Sequence, residues 1–174
     1  MQDTELFLSL AEIAGVFVGF GSLIAVRSSG PSGRVEVGYT RGIVLFAVLT
    51  IVTALAPVIL ARYDLTEHQV WALSSVVVLL GWVVFFVVQV RTPEYRANLA
   101  AGHEPTRPRW AIAFDWVATG LFMTVGVLAP IIIILGVAPG LEATLYSTVV
   151  VVILLGAAWL LLALVYAQRE PASA

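Results

Sequence analysis

The sequence contains no cysteine and no lysine, and only 11% of its 174 residues carry charge. Without cysteine there is no disulfide, no thiolate ligand and no thiol nucleophile. A soluble domain is charged at about a quarter of its positions. A chain this poor in charge and 60% hydrophobic therefore takes lipid as its solvent. The two histidines, His68 and His103, both fall in polar connecting segments, which excludes a bis-histidine haem inside a bilayer. Phosphate loops, nucleophile–base pairs and paired zinc ligands are missing, so neither an enzyme activity nor a cofactor nor a metal is expected. His68 with Glu67 and Asp64 is too thin a ligand set for a metal, and His103 with Glu104 is no better. The arginines suit anionic lipid better than nucleic acid. The acidic start, Met1 to Glu5, lacks the positive region of a secretory signal, so the first apolar segment reads as a retained helix.

What is present is long apolar sequence. A helix needs about 20 apolar residues to cross a bilayer, and five segments qualify, at approximately 5–26, 41–61, 69–90, 110–137 and 141–167. Each must be helical, because hydrocarbon satisfies no open backbone group. The expectation is an all-α polytopic protein, one membrane domain over 1–174 with five transmembrane helices. The connectors hold nearly all the charge. Eight arginines (27, 34, 41, 91, 96, 107, 109 and 169) fall on one side of such a topology, and Arg62 alone on the other. By the positive-inside rule the N-terminus lies outside and the C-terminus in the cytoplasm. The all-arginine usage hints at a bacterial source, hence a cell inner (plasma) membrane.

An internal repeat runs through the last four segments. Leu55-Ala56-Pro57-Val58-Ile59 matches Leu128-Ala129-Pro130-Ile131-Ile132, and Glu67 with Trp71 matches Glu142 with Tyr146. Val76 to Gly81 then matches Val151 to Gly156, and the offset stays between 73 and 75 residues. A proline, a glutamate and a glycine aligned in order point to a duplicated helical hairpin, helices two and three against four and five, with helix one added. Trp71, Tyr146, Tyr63, Trp110 and Tyr166 sit near helix ends and read as interfacial belt residues. Trp82 and Trp159 lie deeper and read as packing or lipid contacts.

The first helix carries the main candidate. At about 100° per residue, Glu5, Ser9, Glu12, Gly15, Gly19 and Ser22 fall on one side, with Leu6, Phe7, Leu10, Ile13, Phe17, Phe20 and Ile24 on the other. Ser9, Gly15, Gly19 and Ser22 are the small residues that let helices approach closely in lipid, so the bulky side is expected to meet lipid or another subunit. Glu12 lies roughly 10 Å beyond Glu5 along the axis, and an ionisable group at membrane depth is a functional candidate by default. Asp115 is a second candidate, with Thr119, Gly126 and Ala129 on its stripe, although pairing with Arg107 or Arg109 accounts for it more simply. Pro57 and Pro130 are expected to kink their helices, freeing the carbonyls of Thr53 and Gly126. These features fit an oligomeric channel- or transporter-like protein for protons or small cations. They also fit a non-catalytic accessory subunit docking its small-residue stripe on a larger membrane partner.

Overall fold

The computed structural model describes residues 4–27, 34–91 and 109–167. Five helices follow one another among them: α1 (Thr4–Arg27), α2 (Arg34–Leu60), α3 (Glu67–Arg91), α4 (Arg109–Ile134) and α5 (Glu142–Ala167). Four contain spans long and apolar enough to cross a membrane, Thr4–Ile24, Thr40–Leu60, Glu67–Val88 and Glu142–Leu162. In α4 the apolar stretch found is shorter, Gly120–Ile134.

Local chemistry sets the ends. Thr66 and Gln69 cap α3 reciprocally: the Thr66 N–H donates to Gln69 Oε1 at 2.9 Å, and the Gln69 N–H to Thr66 Oγ1 at 3.3 Å. This is the capping-box arrangement, which satisfies two of the donors that every helix start leaves free. It places the start of α3 at Glu67, two residues before the position read from hydropathy. α4 ends at Ile134, three residues early, because Gly136 adopts φ +63°. The Val137 N–H then bonds the Ile132 carbonyl at 3.2 Å and the Gly136 N–H the Ile133 carbonyl at 3.0 Å, which is a Schellman stop. α2 begins at Arg34 rather than near 41, although its apolar span begins at Thr40. Helical hydrogen bonding continues through Arg34–Tyr39 although these residues are too polar for hydrocarbon.

Close side-chain contacts set which helices are neighbours. Along α2 and α5, Gly42 stands against Leu160, Gly156 against Phe46, and the Thr53 carbonyl against Tyr146, so the two run antiparallel. Gly21 of α1 stands against Val44 and Ile43 of α2, and Gly126 of α4 against Trp82 of α3. α1 packs on α2 and α5, α3 on α2 and α4, and α4 on α5.

The core is ring-rich. Phe7, Trp71 and Tyr146 are buried together with centroids 5.6–6.0 Å apart. Phe46, Trp82 and Phe85 form a second group. Aromatic pairs of this kind contribute about 0.5–1.5 kcal/mol beyond area burial. In lipid, where no hydrophobic drive separates helix from hydrocarbon, such close contact is what favours one helix arrangement over another. Among the described residues four buried side-chain polar atoms lack a hydrogen-bond partner, on Thr40, Ser74, Ser75 and Trp82, and Ser75 is 0% exposed. An unmade buried hydrogen bond costs about 1–3 kcal/mol, so Ser75→Ala is expected to leave the thermal unfolding temperature unchanged or raise it. A fall of several degrees in a fluorescence melt would show that the hydroxyl is used.

Candidate functional site

The buried face of α1 is made by Phe7, Leu10, Ala14 and Gly21. Glu5, Ser9, Glu12, Gly15, Gly19 and Ser22 are all exposed on its other side. This differs from the expectation that the bulky side faces away from the bundle. The reason is local: the Phe7 ring packs against both Trp71 and Tyr146, which touch each other. The close approach to α2 is made at Gly21, where a Cβ would stand 2.8 Å from Val44 Cγ2. At Gly15 and Gly19 a Cβ would meet nothing within 4 Å. The Ser22 hydroxyl donates to the Val18 carbonyl at 2.8 Å, so its polarity is met within the helix.

Glu12 lies eight residues past Thr4, where the span Thr4–Ile24 begins, about 12 Å along the axis. Among the described residues its carboxyl has neither a hydrogen bond nor an ion pair. Asp115 lies on the helical backbone of α4. Its side chain is outside those described, as are Arg107, His103 and Glu104.

The two prolines lie inside α2 and α4. The carbonyl that Pro57 frees does not stay open: the Tyr146 hydroxyl donates to the Thr53 carbonyl oxygen at 2.7 Å. Tyr146 is 0% and Trp71 2% exposed. Both therefore belong to the core rather than to the interfacial belt read from their positions near helix ends. Tyr63, 64% exposed, does lie at the surface. The Thr53 hydroxyl is spent on the Leu49 carbonyl at 2.8 Å, so the tyrosine is the group that replaces the missing backbone donor. The four-residue interval from Thr53 to Pro57 foretells the free acceptor; no sequence signal names the donor 93 residues away.

A second polar group sits where α3 and α5 begin. His68 Nδ1 lies 2.7 Å from Glu142 Oε1, and Glu142 is 8% exposed. Glu67, His68, Trp71, Gly136 and Glu142 line an open cavity of about 450 Å³. Gly136 is needed there for its positive φ, and a Cβ at that position would lie within van der Waals reach of the His68 ring. Glu142, read from the sequence as a helix-end anchor, thus also ties α5 to α3. Among the described residues no group of three or more His, Asp or Glu is arranged to hold a metal ion.

These features define an all-helical chain with several helices apolar enough to cross a membrane. No family model, curated protein or solved structure matches it.

Proposed function

We propose that this is an oligomeric channel- or transporter-like membrane protein for protons or small cations. In this reading α1 lies at the seam between subunits, and Glu12 is the proton- or cation-binding carboxyl. The protein has five spans, α4 included, in a bacterial inner membrane. Its N-terminus is outside and its C-terminus cytoplasmic, as the arginine bias requires. The hairpins α2–α3 and α4–α5 descend from one duplicated unit, and the pairing of Trp71 with Tyr146 at one level supports that descent.

One observation carries the reading: an unpartnered carboxyl stands on the outward face of an apolar span, beside two glycines that leave open space. Ionisable residues at such depth usually face protein or water rather than lipid, so something covers Glu12. The interior of the single chain is filled by the Phe7, Trp71, Tyr146 and Phe46, Trp82, Phe85 ring groups, which favours a path between chains over a path through one. The test is proton and cation flux into liposomes containing purified protein. Wild type is expected to conduct and Glu12→Gln to lose most of the flux at unchanged protein incorporation. Equal flux in both would remove Glu12 from the path.

The same uncovered face fits an accessory subunit docked on a larger membrane protein. That reading predicts no flux from either form and recovery of a distinct membrane protein on purification, weakened by Glu12→Gln.

A further inference from the structure

Resting on the oligomeric reading, we infer that the surface covering the α1 stripe is a groove along α5 of a second copy of this chain. The groove, about 370 Å³, is lined by Ala143, Thr144, Ser147, Thr148, Val151 and Val152. No other helix contributes to its walls, and it lies within the span Glu142–Leu162. It is the polar counterpart of the stripe. Three hydroxyl residues line it, and the Ser147 and Thr148 hydroxyls donate at 2.8 Å to the Ala143 and Thr144 carbonyls of their own helix. Their oxygens keep lone pairs for a donor from outside, and in the proton-binding reading the Glu12 carboxyl is that donor. Set against alkyl chains instead, Glu12 would lose its hydrogen bonds to water with nothing in return.

Depth supports the same match. α1 and α5 both run antiparallel to α2, hence parallel to each other, and the Phe7 and Tyr146 rings lie 5.9 Å apart. Residue 7 is therefore level with residue 146. Counting along both helices at equal rise, Ser9 is level with Thr148, Glu12 with Val151 and Gly15 with Leu154. A rotation about an axis along the membrane normal preserves depth. A neighbouring copy therefore presents its groove at the level of the stripe, with its exposed Val151 level with Glu12 and its exposed Leu155 opposite the open space over Gly15 and Gly19. Two different faces meet in this contact, so it is heterologous and closes into a ring when the rotation permits. It leaves the core untouched.

The absence of native cysteine makes the test direct. Ser9→Cys and Thr148→Cys are made in separately tagged chains, mixed, reconstituted and oxidised. Leu23→Cys and Leu162→Cys form a second pair fourteen residues further along each helix, both positions being exposed. The expected result is a species of twice the chain mass carrying both tags for 9 with 148 and for 23 with 162. The crossed pairs, 9 with 162 and 23 with 148, differ by about 21 Å in depth and should give none. A chain carrying both Ser9→Cys and Thr148→Cys should run as a ladder. Native mass spectrometry of the same samples separates the failures. Oligomers that cross-link only through α1 to α1, or through neither matched pair, overturn the inference and leave the oligomeric reading standing. A monomer throughout overturns both. The second matched pair decides the question should Ser9→Cys fail to fold.

Discussion

Gly126→Val should break the bundle at the α3–α4 contact, lowering the unfolding temperature by something on the order of 10 °C or leaving no monodisperse protein. A Cβ at position 126 would stand 2.7 Å from both Nε1 and Cζ2 of Trp82. The indole has no room to retreat. Trp82 is 3% exposed, with the rings of Phe46, Phe85 and Phe86 at 6.1, 5.6 and 5.9 Å. Forcing even one or two methylenes into a packed core costs about 1–3 kcal/mol, and valine adds three carbons against a rigid plane. For a chain of this size each kcal/mol moves the unfolding temperature by roughly 2–4 °C. Gly15→Val and Gly19→Val are the controls, since nothing stands within 4 Å of either site, and the protomer should melt as wild type does. If the seam on α1 is real, Gly19→Val should still reduce the oligomer on native mass spectrometry. Equal melting of Gly126→Val and Gly19→Val would mean that α3 and α4 do not meet as described.

The contrast between these glycines shows which part of the fold is legible without coordinates. Helix positions are legible because hydrocarbon forces apolar length and backbone closure together. The spans Thr40–Leu60 and Glu142–Leu162 begin within a residue of where hydropathy places them. Helix rotation is not. In water, the polar side of a helix marks its outside; in lipid both sides of α1 are permitted to be apolar, and small residues serve equally for packing inward or outward. Gly15 and Gly19 spell a packing motif yet face out, while Gly21, in no motif, makes the contact with α2. Trp71 and Tyr146 fail for the same reason. Depth places them near helix ends, but rotation puts them in the core with Phe7. The His68–Glu142 contact joins residues 74 apart and has no signature in either local stretch. Glu12 remains the exception, because a carboxyl within an apolar run is costly whichever way the helix turns.

Tyr146→Phe should destabilise the protein by more than the loss of a surface hydroxyl would, and a change elsewhere on α2 should set how much. The phenol donates to the one carbonyl that Pro57 strips of its helical partner, Thr53, at 2.7 Å in a fully buried setting. Phenylalanine keeps the ring contacts with Phe7 and Trp71 but leaves that oxygen without its donor, at about 1–3 kcal/mol, or roughly 2–12 °C in unfolding temperature. Pro57→Ala restores a backbone N–H at position 57, whose natural acceptor is the same Thr53 carbonyl. In that background the hydroxyl is redundant, so Tyr146→Phe should then cost less than half of what it costs beside proline. Melting the wild type, both single variants and the double variant measures the coupling directly. Additive losses would show that the Tyr146 hydroxyl contributes independently of Pro57. A shrinking loss would show that proline and tyrosine act as one unit, the proline inside α2 being tolerated because α5 supplies the missing donor.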